Sequence, residues 1–116
     1  MNDRSANMRA EPRAPLQVIA FLRCASWSTA DRLQTTDLSQ SGVGVEAHRP
    51  ATRGEQLRVT LRLPDDSTLH LKGVVRHCTP IGTASAVRSW LIGGRIEHSS
   101  LRTQIELLRL LERHRA

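Results

Sequence analysis

The stretch LRVTLRL, at residues 57–63, alternates apolar and polar side chains without a break. Alternate side chains of a β-strand point to the same face, so this period of two predicts one buried and one solvent-facing side. Turn residues (PDDS, 64–67) follow, and LHLKGVV at 69–75 then continues the alternation. The two stretches therefore predict an antiparallel β-hairpin, with Gly73 expected at a bulge.

Shorter apolar segments predict the rest of a β-rich chain. Further strands are expected at residues 16–24, 31–38, 43–47 and 90–97. Residues 25–30 and 39–42 have the composition of turns, and residues 79–89, with Pro80 and Gly82, are expected to be irregular. About six short strands joined by turns predict an antiparallel barrel or a sandwich.

The C-terminal segment changes to a helical period. Leu101, Ile105 and Leu108 follow the i, i+4, i+7 spacing of an amphipathic helix, and Leu107 and Leu110 widen the stripe. Either residue 99 or residue 100, both serine, is suited to cap the helix. We expect this stripe to pack mainly on the barrel, with part of it left as a surface for a partner.

The composition fits one small domain with an aliphatic core. The chain has 116 residues, 39% of them hydrophobic, but only one Phe, two Trp and no Tyr. Of the tryptophans, Trp90 is expected in the core, whereas Trp27 is suited to the core, an interface or a stacking contact. We divide the chain into an arginine-bearing flexible arm (1–15), a β-barrel (16–98) and a C-terminal helix (99–116).

The charge favours an anionic partner. The formal net charge is +6, and almost all of the positive charge is arginine, whose planar fork suits phosphates and guanine edges. A GC-rich genome would produce the same arginine bias. The N-terminus has no apolar signal segment, and no apolar run reaches the roughly 18 residues that span a bilayer. We therefore expect a cytoplasmic protein with reduced thiols at Cys24 and Cys78.

No pattern in the sequence indicates an enzyme. The chain offers no nucleophile–base pair, no paired carboxylates and no glycine-rich phosphate loop. Its five histidines lack the spacing of metal ligands, and the two cysteines form no C-x-x-C site. We expect a binding domain without metal or cofactor.

Two short motifs carry the functional prediction. The first is R-x-x-x-R, from Arg9 to Arg13, and the second is D-x-S-x-x-G, formed by Asp37, Ser39 and Gly42. If the first two strands pair as a hairpin, the arm before one strand and the turn after the other lie at the same barrel end. The two motifs then face one pocket.

The motifs, in this order, resemble the PilZ domain family over roughly residues 8–115. The flanks also fit: PL at residues 15–16 leads into the first strand, GVGV follows the turn at 42–45, and WLIGGRI at 90–96 resembles the family's last strand. The resemblance implies a six-stranded antiparallel β-barrel with a C-terminal amphipathic helix. It also implies a non-enzymatic receptor for the second messenger cyclic di-GMP, with the arginine arm closing over the ligand.

The resemblance also assigns roles to the motif residues. Arg9 and Arg13 are expected to bond guanine edges or phosphates, or to stack on a purine. Asp37 would accept from a guanine N–H edge or hold an arginine. Ser39 would bond a guanine amino group or cap the turn, and Gly42 would allow a positive φ or a close approach to the base.

The sequence departs from the fullest family pattern at one position. Many members have another arginine just before R-x-x-x-R, where this chain has Met8. One cation fewer favours a single bound ligand over a stacked pair, although Arg4 is placed to substitute in part. Arg4 and Met8 are therefore secondary candidates for the ligand site.

The sequence is compatible with three functions. The first is a cyclic di-GMP receptor that orders its arm and signals to a protein in motility, secretion or polysaccharide synthesis. The second is a degenerate PilZ adaptor that binds proteins and no ligand. The third is a nucleic-acid-binding barrel, which the scarcity of aromatic residues disfavours because single-strand binders stack bases on aromatics; nucleic acid is therefore not expected as a partner.

Overall fold

The predicted hairpin is present in a computed structural model that describes residues 17–63, 65–98 and 100–113. Its strands, β4 (Gln56–Arg62) and β5 (Thr68–Thr83), pair antiparallel, with Val59 opposite Leu71 and Leu61 opposite Leu69. These four side chains are buried, as the alternation predicted. Gly73 is regularly paired with Leu57, so the expectation of a bulge at Gly73 is wrong.

The sheet closes on itself. The elements are β1 (Ile19–Cys24), β2 (Asp31–Leu38), β3 (Gly42–Ala47), β4 (Gln56–Arg62), β5 (Thr68–Thr83), β6 (Ala86–Glu97) and α1 (Leu101–Arg113). The strands pair in the order β1-β2-β3-β6-β5-β4, and β4 returns to β1. This closed six-stranded antiparallel barrel with a C-terminal helix is the fold class that the sequence predicted.

The hairpin β5–β6 is longer than predicted. Residues 79–83 belong to β5 and residues 86–89 to β6, so the expectation of an irregular segment over 79–89 is wrong. Beyond Val74, β5 pairs with β6 but no longer with β4. Pro80 therefore lies where one edge of its strand is free, a position at which proline costs no ladder hydrogen bond. The register shifts fall next to Arg76, between Val75 and His77, and between Ile81 and Gly82.

The C-terminal helix docks through one part of the predicted stripe. Leu107 and Leu110 are fully buried, and α1 contacts β5. Leu101, Ile105 and Leu108 are 70%, 39% and 38% exposed. The expectation of packing on the barrel is therefore wrong for these three residues, whereas the expectation that part of the stripe is left at the surface agrees with the structure.

The helix begins at a serine cap. The Ser100 Oγ accepts a hydrogen bond from the Thr103 N–H at 3.1 Å, as expected of an N-cap residue. Among the residues that the structure describes, no helix is both long and apolar enough to cross a membrane.

Trp27 closes one end of the barrel. It is only 4% exposed, and its indole N–H donates to the Pro50 carbonyl at 2.8 Å. The Arg49 guanidinium lies 4.1 Å from the ring centroid and pairs with Asp31 at 2.9 Å. Of the roles left open for Trp27, the structure gives it the core. Trp90 is half-buried against the same core.

Both cysteines are free thiols. Cys24 is fully buried, and burial, with the nearby Glu55 carboxylate, raises its pKa to about 12. Cys78 is half-buried, and its Sγ accepts from the Ala51 N–H at 3.5 Å. A thiol with so high a pKa carries almost no thiolate at neutral pH, so Cys24 acts as a packing residue.

A glutamate ties two loops together beside Trp27. The Glu55 carboxylate accepts from the Ser26 N–H at 2.6 Å, from the Ser26 Oγ at 2.9 Å and from the Thr52 N–H. Burial acts to raise the pKa of Glu55, but these hydrogen bonds outweigh it and lower the pKa below its ordinary value. The carboxylate form is therefore the one that stabilises the fold.

The stability contributed by Glu55 is expected to depend on pH. A lowered folded-state pKa gives stability that is present above the ordinary glutamate pKa and is lost as the pH falls through the folded-state value. Glu55→Gln should therefore lower the melting temperature at neutral pH, and the difference from wild type should shrink in acid. Thermal melts of both proteins across the acid range, with Glu112→Gln as a control, measure this. A difference that is constant with pH would refute it.

Candidate functional site

The first two strands pair at the start of the described chain. The Thr35 N–H donates to the Val18 carbonyl at 3.0 Å, and the Val18 N–H donates to the Thr35 Oγ1 at 3.0 Å. Val18 therefore lies beside the second half of β2, the strand that carries Asp37. Arg4, Met8, Arg9 and Arg13 lie outside the described residues.

The D-x-S-x-x-G segment forms a tight turn between β2 and β3. The Ser39 N–H donates to the Gly42 carbonyl at 2.9 Å, and the Gly42 N–H donates to the Ser39 Oγ at 3.0 Å. Ser39 is buried, so in this structure its hydroxyl serves the turn, one of the two roles predicted. Gly42 is not among the described glycines with positive φ, which are Gly54 and Gly82. Of the two reasons predicted for Gly42, the positive φ is therefore wrong, and the close approach to a base stays a prediction.

Asp37 lies across the neighbouring strand. The register shift between Thr35 and Asp37 is followed by the pairing of Asp37 with Gly44 on β3. A Cβ atom on Gly44 would stand 2.2 Å from the Asp37 Oδ1 and 2.8 Å from the Thr36 Oγ1. The absence of a side chain at Gly44 is therefore what allows the half-buried carboxylate to occupy this position.

Next to Asp37 a shallow cleft follows the outer face of β2 and β3. Its volume is about 410 Å³, and its lining combines an arginine, a carboxylate, an imidazole, amides and hydroxyls. The lining residues are Gln17, Arg32, Leu33, Gln34, Thr35, Thr36, Glu46 and His48. Such a set offers both donors and acceptors to a polar, planar ligand.

Most residues of this cleft, and Gly44, were not among the site residues that the sequence predicted. The signal for Arg32, Gln34 and Glu46 was present in the outward positions of two alternating strands. These positions form one surface only because β2 pairs with β3, and that pairing cannot be read from either strand alone. Gly44 had a weaker signal, as the second glycine of the GVGV stretch at residues 42–45.

The fixed part of the site has little positive charge. Arg32 contributes one cation to the cleft and Glu46 one carboxylate, which accepts from the Ser89 Oγ at 2.6 Å. Asp37 adds a second carboxylate beside Thr36. An anionic ligand would need further cations at this cleft. Among the described residues, no group of three His, Cys, Asp or Glu side chains is placed to hold a metal ion.

The turn is also tied to the last strand. The Ile96 N–H donates to the Ser41 carbonyl at 2.7 Å, and the His98 Nε2 lies 2.6 Å from the Gln40 carbonyl oxygen. Because a carbonyl oxygen only accepts, the Nε2 atom must carry the proton. Ser100, which caps α1, is two residues beyond His98. The turn between β2 and β3 is therefore hydrogen-bonded to the segment that leads into α1.

The family model of the PilZ domain matches residues 7–113. The chain belongs to the PilZ domain family. The match covers both sequence motifs together with the barrel and the whole of α1, so the family resemblance inferred from the motifs is confirmed. No curated protein matches the chain.

Solved structures share the fold at low sequence identity. The PilZ domain of YcgR from Escherichia coli, solved with c-di-GMP, superimposes with a TM-score of 0.68 at 17% identity, over 90% of this chain and 89% of that one. The MrkH–c-di-GMP complex of K. pneumonia has a TM-score of 0.73, and the motility inhibitor MotI of Bacillus subtilis has 0.72. Both are 17% identical over 90% of this chain, which corresponds to 50% of theirs. The chain therefore spans about half the length of MotI and MrkH.

Proposed function

We propose that this PilZ domain is a non-enzymatic receptor for cyclic di-GMP. The observation that carries the proposal is the position of Asp37, whose carboxylate lies 3.5 Å from the hydroxyl of Thr36, a residue that lines the polar cleft. A carboxylate can accept from the N1–H and N2–H edge of a guanine, and the cleft residues Gln34 and Thr36 can bond the remaining polar atoms. In this proposal the ligand rests on the outer face of β2 and β3.

The arm supplies the cations that the cleft lacks. Arg9 and Arg13, with Arg4 as a secondary candidate, would pair with the two phosphates or with guanine O6 and N7. Met8 stands where a further arginine would allow a second ligand, so we propose one cyclic di-GMP per chain. Ser39 and Gly42 hold the turn beneath Asp37, and in this proposal they support the ligand without necessarily touching it.

Binding would signal by drawing the arm against the barrel. Residues 1–15 would then cover the cleft and create or hide a surface for a protein partner. The hydrogen bonds from Gln40 and Ser41 to the end of β6 give a second route, because a shift of the turn would move the start of α1. The partner is proposed to be a cytoplasmic component of motility, secretion or polysaccharide synthesis.

Protection of the arm tests the mechanism. Trypsin cleaves after arginine, so cyclic di-GMP is expected to slow cleavage after Arg9 and Arg13 at least tenfold, an order of magnitude typical of ligands that stabilise one state by about 1.4 kcal/mol or more. Mass spectrometry of timed digests measures each site. Cyclic di-AMP is the control, because adenine lacks the guanine O6 and N1–H groups. Equal protection by both dinucleotides, or by neither, would contradict the proposal.

A ligand-free adaptor is the second candidate. It is favoured by the outward strip of α1, where Leu101, Ile105 and Leu108 are exposed. An apolar strip on a helix is a common docking surface for another protein. An adaptor of this kind would bind its partner equally well with and without cyclic di-GMP and would be weakened by Leu101→Ser.

A further inference from the structure

A row of cations crosses three neighbouring strands on the outer wall of the barrel. Arg23 of β1 is directly opposite Arg58 of β4, and Arg58 is directly opposite Lys72 of β5. Opposed residues in an antiparallel sheet have Cα atoms roughly 5 Å apart, so the three charges are immediate neighbours. Arg62, on the same face of β4, extends the row along the strand. We call these four exposed residues the basic face.

The basic face has no anionic partner of its own in the described part of the chain. The ion pairs there join Arg49 with Asp31, Arg95 with Glu97 and Arg102 with Glu106. They leave out all four members of the basic face. Like charges directly opposite one another destabilise a sheet, so an anion bound at this face would offset a cost that the ion pairs of the described residues leave in place.

The contacts of the basic face are weak or neutral. Arg23 reaches the Trp27 carbonyl at 3.4 Å, and the Arg62 guanidinium lies 5.9 Å from the Phe21 ring centroid. The carboxylate nearest in register is that of Glu97, opposite Lys72, and it already lies 3.8 Å from Arg95. The guanidinium forks therefore remain available to a partner.

The residue types of the basic face favour one class of anionic partner over the others. Protein interfaces have a core enriched in aromatic residues and depleted of charge, whereas interfaces with nucleic acid are polar and strongly positive. Phe21 is the aromatic residue on this wall, and Arg62 lies over it, so the basic face itself offers no stacking platform for a single strand. Membrane-surface binding generally adds a larger apolar anchor. The surface fits the backbone of a duplex.

The span of the basic face matches the spacing of phosphates along a duplex. Arg58 and Arg62 are four residues apart on one strand, or about 13 Å. A nucleic-acid strand carries one phosphate per 3.4 Å of duplex axis, so about four phosphates occupy that length. Four cations, three of them arginines capable of bidentate bonds to phosphate, stand over a comparable span.

We propose that the basic face binds the phosphate backbone of a nucleic-acid duplex without reading its sequence. This departs from the expectation, drawn from the scarcity of aromatic residues, that nucleic acid is not a partner. That expectation concerns single strands, which need stacking, whereas backbone contacts to a duplex need only cations. The face lies on β1, β4 and β5 and the cleft on β2 and β3, so the proposal is independent of ligand binding.

Fluorescence anisotropy with a labelled DNA duplex of mixed sequence tests the proposal in the full chain. Four phosphate contacts predict a slope of about −3.6 for the logarithm of the binding constant against that of KCl concentration, between about 50 and 200 mM. Arg58→Gln with Lys72→Gln should reduce this slope by about 2 and weaken binding at least tenfold at the lower salt concentration.

A charge-matched control separates the basic face from net charge alone. Arg88→Gln with Arg109→Gln removes the same charge from exposed positions elsewhere and should leave the slope nearly unchanged. The variant of the basic face should melt at or above the wild-type temperature, because it loses like-charge repulsion. No binding at low salt, equal losses in both double variants, or binding to phosphatidylglycerol vesicles but not to the duplex would overturn the proposal.

Discussion

Trp27→Ala is expected to lower the free energy of unfolding by about 3–5 kcal/mol, the range typical of a buried tryptophan replaced by alanine. The side chain is almost fully buried, and its removal would leave a cavity at the end of the barrel. It would also leave the Pro50 carbonyl without its indole donor and remove the ring that the Arg49 guanidinium contacts. Urea denaturation followed by circular dichroism measures the change.

Two variants separate the parts of this effect. Trp27→Phe keeps most of the volume but removes the hydrogen bond to Pro50, which should cost about 1–2 kcal/mol. Trp90→Ala removes a half-buried ring from the same core and should cost clearly less than Trp27→Ala. A loss below about 1 kcal/mol for Trp27→Ala would show that the residue does not close the barrel as the structure indicates.

Asp37→Ala is expected to weaken cyclic di-GMP binding by about 10-fold to 100-fold. Hydrogen bonds to a charged group contribute about 1.5–3 kcal/mol, and about 1.4 kcal/mol corresponds to a tenfold change in affinity. Gly44→Ala should act in the same direction, because its Cβ would occupy the space of the Asp37 carboxylate. Calorimetric titration of each variant measures the loss.

Asp31→Ala is the matched control for Asp37. It removes the same side chain from the same strand, but at the opposite end, where Asp31 pairs with Arg49. Its affinity for cyclic di-GMP should equal that of wild type, even if its stability is lower. Wild-type affinity in Asp37→Ala, or an equal loss in Asp31→Ala, would remove Asp37 from the site.

The strands that the sequence predicted well are those whose burial follows a simple period. Residues 57–63 and 69–75 alternate cleanly because each presents one face to the barrel interior along its length. The extension of β5 and β6 was missed because Pro80 and Gly82 usually interrupt strands. The closed barrel leaves one edge of β5 free at Pro80, and that freedom depends on tertiary pairing that no local pattern contains.

The helix shows a second limit of sequence patterns. The segment from residue 101 to 111 has more leucine and isoleucine positions than one stripe needs, so several faces satisfy a helical period. The docking of α1 on β5 buried Leu107 and Leu110 and left Leu101 outside. Which face is buried is decided by the loop that precedes the helix and by the barrel wall.

For the site, the sequence located the turn but not its surroundings. The spacing of Asp37, Ser39 and Gly42 predicted a turn, and the structure forms it between β2 and β3. Its position beside the arm stays a prediction, because the arm lies outside the described residues. The contribution of Gly44 and of the cleft residues on β3 could not be predicted, because it depends on which outward positions become neighbours. The basic face was hidden for the same reason, since Arg23, Arg58 and Lys72 are distant in sequence.

The most direct test of the proposed receptor is calorimetric titration of cyclic di-GMP into the wild-type chain and into Arg13→Ala. We expect saturable binding with one ligand per chain in wild type, and its loss in Arg13→Ala, because the proposal assigns to the arm the cations that the cleft lacks. The absence of heat and of any thermal shift in a well-folded wild-type sample would contradict the receptor proposal and leave the adaptor.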